Sequence, residues 1–262
     1  MSALPDVKPL EDVALAAAMA DARRGGISPL EALQKASGLD AYALAAALAS
    51  TFAYPLVGAV LGMLCAVLAT IAGGIGLTSG LTAGLVLAFC VIVTGAMHED
   101  GLADSADGLW GGWDKARRLE IMKDSHIGVY GVCAIVLSLL LRWAGLVVIV
   151  EMGAYWVLIA VGALSRAGMV VIMATLGNAR GGGLSQSVGR PAAQTMWLAV
   201  GVAAVFAVLL GIPEAVLIAA GVTLACGLIA KAKIGGQTGD ILGATQQMNE
   251  VALLAAVVVS VT

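Results

Sequence analysis

Long apolar runs alternate along this chain with shorter polar segments. A helix needs about 20 predominantly apolar residues to cross the hydrocarbon core of a bilayer. Six runs approach this length, the last two being short: 49–72, 77–97, 127–150, 153–176, 196–210 and 215–230. A seventh run, 251–262, is too short, so we expect a truncated or re-entrant span there. The pattern predicts an all-α, polytopic transmembrane helix bundle with about six to seven spans.

The charged residues are distributed unevenly between the connections. Nearly all Lys and Arg residues lie in the N-terminal segment and in the connections 98–126, 177–195 and 231–250. The remaining connections carry at most one acidic residue each. Cytoplasmic loops of membrane proteins are enriched in Lys and Arg. We therefore expect a multi-pass protein of the cell inner membrane, with its N terminus and its three long, reactive loops in the cytoplasm.

The composition agrees with a membrane protein. Hydrophobic residues make up 60% of the 262 residues and charged residues only 12%, with a mean hydropathy of +0.98. Soluble domains average about 25% charged residues, so a water-soluble or nucleic-acid-binding protein is excluded. Residues 1–45 are the most polar part, and Ser28-Pro29-Leu30-Glu31 is typical of a helix start. We interpret 1–45 as an Ala-rich helical segment, cytoplasmic or interfacial, and 46–262 as the membrane-embedded domain.

The densest polar cluster, 98–108, begins where the second run ends. If this cluster is helical, Asp100, Asp104 and Asp107 fall within roughly 60° of one another on one face. Three carboxylates this close repel each other unless solvent or a cation stabilises them. Mg²⁺ binds through one or two carboxylates together with water and phosphate. We expect these aspartates to hold Mg²⁺ beside a phosphate substrate. A solvated acidic loop is the alternative, and the small residues among the aspartates argue against it.

Two further polar segments carry groups suited to phosphate. Arg118 and Lys123 can hold phosphate oxygens, although the arginines of this segment can equally serve as membrane anchors. For Lys123 and Asp124 we favour a functional role because of the glycines that follow them, Gly128 and Gly131. A third segment is rich in glycine and opens a helix, so it can present backbone N–H groups to an anion, although a flexible turn is the alternative. Its candidate residues are Gly236, Thr238 and Asp240.

Two arginines fall inside predicted spans, where a charge is costly and usually faces a cavity or reaches the interface. We expect Arg166 to hold a substrate phosphate near the cytoplasmic mouth, with an intramembrane ion pair as the structural alternative. Arg142 is interpreted as a misplaced boundary or as a side chain that reaches the interface. His98 is a candidate base, with a plain hydrogen-bonding role equally open. Glu250 is a further candidate ligand.

Five segments together resemble the cobalamin synthase family, adenosylcobinamide-GDP ribazoletransferase, in the family's order over about 54–250. They are Tyr54-Pro55-Leu56-Val57-Gly58, His98-x-Asp100-Gly101-x-x-Asp104-x-x-Asp107-Gly108, Arg118-Leu119-Glu120-Ile121-Met122-Lys123-Asp124-Ser125-x-Ile127-Gly128, Leu164-Ser165-Arg166 and Gly236-Gln237-Thr238-Gly239-Asp240-x-Leu242-Gly243-Ala244. Two departures are clear. Residues 1–45 lack the Thr-Arg-x-Pro-like stretch of the family, and His126 stands where the family often has Arg.

The resemblance implies a transferase that joins adenosylcobinamide-GDP to α-ribazole, or to its 5′-phosphate, and releases GMP. With the residue patterns it implies Mg²⁺ as cofactor, bound by Asp100, Asp104 and Asp107. The composition and the resemblance together imply surrounding membrane lipid and no nucleic-acid partner, and the oligomeric state stays open. The alternatives are a phosphotransferase of the CDP-alcohol type and an ion or solute transporter. The expected catalytic residues are Asp100, Asp104, Asp107, Lys123, Asp124 and His98, and the expected substrate-binding residues are Arg118, Arg166, Gly236, Thr238 and Asp240.

Overall fold

A computed structural model of the chain describes residues 41–180 and 189–261. The helix start expected at Ser28 lies outside these residues. Within them the chain forms nine helices and no β-strand. The helices are α1 (Ala41–Gly74), α2 (Ser79–Val93), α3 (Met97–Gly111), α4 (Lys115–Ile121), α5 (Val129–Glu151), α6 (Val157–Thr175), α7 (Ala193–Leu209), α8 (Ala215–Ile234) and α9 (Gly239–Val261).

Most of these helices match membrane spans in length and hydropathy. Five are long and apolar enough to cross alone, namely α1 from Ala53, α5, α6, α8 and α9 to Ser260. The helices α2 and α3 pass that test only as a pair, bent by 85°. Gly95 and Ala96 have positive φ angles there, which ends α2. α7 has 17 residues, or about 26 Å, slightly less than a hydrocarbon core of ~30 Å. The prediction of an all-α, multi-pass membrane bundle is confirmed.

The predicted end of the chain is wrong in two respects. The sequence predicts a long connection over 231–250 followed by a truncated span. Instead α8 continues to Ile234, and α9 begins at Gly239 and is long enough to cross the membrane. The polar side chains of the first half of α9 face the inside of the bundle, so hydropathy alone misreads them as a loop. Those residues are Thr245, Gln246, Gln247 and Asn249, all fully buried.

The helix α6 lies at the centre of the bundle and contacts α1, α7, α8 and α9. All but one of its residues from 157 to 170 are buried. It packs closely on α1 at a glycine pair: a Cβ added to Gly58 or to Gly162 would overlap the backbone of the other helix. Small residues of this kind let membrane helices approach closely and gain dispersion energy.

The polar segments gather at one end of the bundle, which we call the polar end. Successive spans alternate in direction, so 97–128, 176–180 and 235–238 all lie there. Backbone hydrogen bonds tie two of these segments together, since the Ala179 amide donates to the Gln237 carbonyl at 2.8 Å. The fold therefore brings together three segments that are far apart in the sequence.

Candidate active site

The acidic helix α3 packs directly on the start of α9. A Cβ added to Gly101 would lie 2.9 Å from the Asp240 carbonyl oxygen, and one added to Gly243 would lie 3.2 Å from the Gly101 Cα. Gly108 lies closer still to its neighbour, since a Cβ added there would overlap the side chain of Met122, which follows α4. These small residues serve helix packing. By allowing close approach, they place the acidic face of α3 beside Asp240.

The three aspartates of α3 lie in different surroundings. Asp100 is exposed, Asp104 is half-buried and Asp107 is buried. Burial disfavours the charge of Asp104, and Asp100, Asp240 and Asp107 all repel it, while Arg180 provides an opposing positive charge. Asp104 therefore lies partly buried among three other carboxylates, with Arg180 as the opposing positive charge.

Asp107 anchors the segment that follows α4. Its carboxylate accepts hydrogen bonds from the Gly128 amide at 2.7 Å and from the Gly131 amide at 2.9 Å. A Cβ on either glycine would overlap that carboxylate. These glycines therefore leave room for the Asp107 carboxylate and donate hydrogen bonds to it. They lend no support to a functional role for Lys123 and Asp124. One carboxylate fixes the loop 122–128 and the start of α5 to α3.

The donor chemistry at the polar end fits Mg²⁺ bound together with a substrate. No group of three or more His, Cys, Asp or Glu side chains within 41–180 and 189–261 is arranged to hold a metal ion. Asp104 and its neighbours Asp100 and Asp240 offer hard carboxylate oxygens, and Mg²⁺ commonly takes one or two of these with water and phosphate. Metal binding by Asp100, Asp104 and Asp107 stays a prediction.

The glycine-rich segment is a tightly packed turn. Gly236 packs so tightly that a Cβ there would overlap the carbonyl oxygen of Gly177, and the Gln237 amide donates to the same oxygen at 2.9 Å. The Thr238 hydroxyl donates to the Asp240 carboxylate at 3.1 Å. These contacts hold the turn against 177–179, and substrate binding by Gly236, Thr238 and Asp240 stays a prediction.

An ion pair that the sequence analysis missed closes this side of the site. Arg180 donates to the Asp240 carboxylate at 2.7 Å, and both side chains are mostly buried. In the sequence Arg180 is one of several loop cations, and only its contact with α9 distinguishes it. It neutralises Asp240 and lies close enough to offset part of the charge at Asp104.

The predicted phosphate ligands around α4 differ in their availability. Lys123 is exposed. Asp124 is exposed too, and its hydrogen bond with the His126 ring at 2.7 Å lowers the pKa of the Asp124 carboxyl and raises that of the His126 imidazole. The Arg118 guanidinium holds α4 in place by donating to the carbonyls of Gly112, Trp113 and Lys233.

A buried ion network lies next to the site, inside the bundle. Arg142 is 1% exposed and pairs at 2.8 Å with Glu99 of α3 and with Glu250 of α9. Gln247 accepts a hydrogen bond from Arg142 at 2.9 Å and donates one to Glu99 at 3.0 Å. The interpretation of Arg142 as a boundary error or an interfacial side chain is wrong, because two carboxylates neutralise it inside the bundle. A lone arginine within a span was the available signal, since it requires such partners.

A cavity of about 430 Å³ opens between α1, α6 and α9. His98 and Arg166 line it, among mostly apolar side chains. Arg166 lies at the midpoint of α6 and not near its end, and it is 8% exposed. Its guanidinium donates to the Gly162 carbonyl at 3.3 Å. A ligand in this cavity can therefore contact Arg166. Binding of a substrate phosphate by Arg166 stays a prediction.

The fold and the site define a polytopic membrane protein with an acidic, cation-flanked site at one end of its bundle. The sequence matches the family model CobS, described as cobalamin-5-phosphate synthase, over residues 29–258. The chain therefore belongs to the cobalamin synthase family and is a transferase, as the resemblance implies. The CDP-alcohol and transporter alternatives are not favoured.

Curated relatives support the same assignment. The adenosylcobinamide-GDP ribazoletransferase of Azorhizobium caulinodans is 45% identical over 181 residues, covering 65% of this chain and 69% of that protein. The protein of the same name from Sinorhizobium medicae is 43% identical over 189 residues, covering 67% and 72%. No solved structure matches the chain significantly.

Proposed function

We propose that this protein joins adenosylcobinamide-GDP to α-ribazole, or to its 5′-phosphate, in the last steps of cobalamin biosynthesis. The 3′-hydroxyl oxygen of the ribazole attacks the phosphorus attached to cobinamide. A new P–O bond forms, the bond to the GMP oxygen breaks, and GMP leaves. The hydroxyl proton passes to a base, for which we propose His98. Family membership supports the reaction, and the crowded Asp104 carboxylate supports its location.

Mg²⁺ is the proposed cofactor, supplying charge stabilisation at the transferred phosphate. Asp104 is its proposed main ligand, with Asp100 beside it. Asp107 already accepts two backbone amides, so it contributes chiefly by its charge and by holding α3 and the loop 122–128 together. This arrangement suits phosphoryl transfer, which depends mostly on positioning and on stabilisation of charge.

Cations around the acidic face complete the proposed substrate site. A diphosphate brings negative charge to a place that already holds several carboxylates, so positive side chains are needed beside the metal. Lys123 and Asp124 lie on an exposed segment anchored to α3, and Lys123 is able to turn towards the diphosphate. Arg118 holds the neighbouring backbone, and Arg166 offers its guanidinium from the wall of the cavity. The turn with Gly236, Thr238 and Asp240 forms the opposite side.

We infer that the polar end faces the cytoplasm and that the membrane is the inner membrane. The basic residues of 115–123 and of 231–233 lie at the polar end, as expected for cytoplasmic loops. Nucleotides and Mg²⁺ are available on that side. The chain then begins in the cytoplasm, and α9 crosses to the other face.

The test is a turnover assay on the purified full chain in detergent, with adenosylcobinamide-GDP and α-ribazole, reading GMP release with Mg²⁺ and with a chelator. Asp104→Asn keeps the volume and removes the charge, and we expect release to fall by at least about a hundredfold. Glu214→Gln is the control, because Glu214 is exposed at the opposite end of the bundle. Near-normal turnover by a folded Asp104→Asn variant contradicts the proposed site.

A further inference from the structure

We propose that the cavity between α1, α6 and α9 binds the aromatic base of the nucleoside acceptor, while the corrinoid and the guanosine of the donor stay outside it. This inference rests on the proposed function, because it takes the acceptor from that reaction. It assigns one substrate to one part of the molecule, and four properties of the cavity support it.

The first property is size. A volume of about 430 Å³ lies within the range of pockets that take drug-sized ligands, about 300–1,000 Å³. A nucleoside with a bicyclic base is a ligand of this size. The corrin macrocycle, with its amide side chains and adenosyl group, is several times larger. The cavity therefore fits the acceptor and not the body of the donor.

The second property is the chemistry of the wall. Most of the wall is apolar, with Leu61, Met169, Met173 and Leu242 among its residues, and its polar side chains are those of Tyr54, Thr94, His98 and Arg166. The polar edge of a guanine packed against the apolar part of the wall would lose its hydrogen bonds, at about 1–3 kcal/mol for each unpaired group. The base of α-ribazole is a dimethylated benzimidazole, whose outer edge carries no hydrogen-bonding groups. Methionine sulfur also makes favourable contacts with aromatic rings. The wall therefore selects an apolar base over guanine.

The third property is a pair of polar side chains on this apolar wall. Arg166 and His98 are both buried, and both line the cavity. Among the described residues, the Arg166 guanidinium donates only to the Gly162 carbonyl at 3.3 Å. Arginine has several further N–H donors, and these suit the hydroxyls or 5′-phosphate of a ribazole. A lipid chain, the other apolar occupant to consider, needs neither side chain.

The fourth property is continuity with the acidic face. Gly239 and Gly243 line the cavity and flank Asp240 in sequence. His98 lies six residues before Asp104 on α3, which is about 9 Å along the helix axis at 1.5 Å per residue. A base in the cavity therefore directs its sugar towards Asp104. There the 3′-hydroxyl is needed for attack on the donor phosphorus.

The test fills the cavity from its exposed rim. Val57 and Val60 both lie on α1 and are 52% and 51% exposed, but only Val57 lines the cavity. Binding of α-ribazole and of adenosylcobinamide-GDP is measured separately by calorimetry on the full chain in detergent. We expect Val57→Trp to raise the Kd for α-ribazole by at least about tenfold and to leave the Kd for the donor unchanged. Val60→Trp should change neither.

A second pair of variants guards against a folding defect. Val93 lines the cavity and its neighbour Ile92 does not, and both are exposed at the end of α2. Val93→Trp should reproduce the weaker α-ribazole binding, and Ile92→Trp should not. Unchanged α-ribazole binding in both cavity variants overturns the proposal and favours lipid in the cavity. Weaker binding of the donor alone overturns it too. Absence of GMP release by the parent protein instead refutes the proposed function.

Discussion

The Asp107 carboxylate should determine how firmly the loop after α4 is held. Asp107→Asn keeps the shape of the side chain but replaces one oxygen by an NH₂ group. One of the two amides now bonded to it, Gly128 or Gly131, then faces a donor in place of an acceptor. The variant therefore loses one hydrogen bond to a buried carboxylate and should open the loop more often.

The size of the effect follows from those two contacts. A hydrogen bond to a charged group contributes about 1.5–3 kcal/mol, and each 1.4 kcal/mol is about tenfold in an equilibrium constant. Loss of one bond should therefore raise the local opening equilibrium by about 10- to 100-fold. The effect should be confined to 122–131, because the other contacts of α3, such as Gly101 on Gly243, do not involve Asp107.

Hydrogen exchange read by mass spectrometry measures this opening, since exchange of a protected amide follows the local opening equilibrium. Peptides covering 122–131 should exchange about 10- to 100-fold faster in Asp107→Asn. Asp100→Asn, which changes an exposed carboxylate on the same helix, should leave them as in the parent. Parental exchange in Asp107→Asn would refute the anchoring role. It would leave metal binding as the function of Asp107.

Two further predictions concern the remaining charges. Arg142→Met leaves Glu99 and Glu250 buried without their cation, so the free energy of unfolding, measured by thermal unfolding in detergent, should fall by about 3–5 kcal/mol. Arg117→Met at the surface should lower it by at most about 1 kcal/mol. Equal losses in the two variants would contradict the network. Asp124 raises the pKa of the His126 imidazole. The stabilisation from this ion pair is therefore fully present below the ordinary His pKa, and it is lost as the pH rises through the raised pKa. Asp124→Asn should lower the His126 pKa in an NMR titration, in which the only other histidine is His98; an unchanged pKa would contradict the pairing.

The sequence predicts the fold class well because most spans face lipid on one side and apolar neighbours on the other. It fails at α9, where Gln246 and Gln247 are polar yet fully buried. A hydropathy pattern reads one residue at a time, whereas burial of an amide depends on partners elsewhere in the chain. Arg142 is misread for the same reason, since its two carboxylates come from α3 and α9.

The acidic face of the site can be predicted from the sequence, but the contacts that hold it in place cannot. The spacing of Asp100, Asp104 and Asp107 follows from helix geometry within α3, so a local pattern is sufficient to propose it. The approach of Arg180 to Asp240 joins residues 60 positions apart, and nothing local indicates that contact. The glycines beside the aspartates show the same limit, because their role is visible only once the backbone that contacts them is known.

The supports of α3 explain why a polar helix holds its position at the end of an apolar bundle. Its first turn is fixed by the Glu99–Arg142 ion pair, its second turn by the contact of Gly101 with Gly243, and its later turns by Asp107. These supports come from α5, from α9 and from the Gly128 turn. Asp104 lies between them and takes no such structural bond among the described residues. Its carboxylate is therefore positioned by the contacts of its neighbours, which suits the cation ligand that we propose it to be.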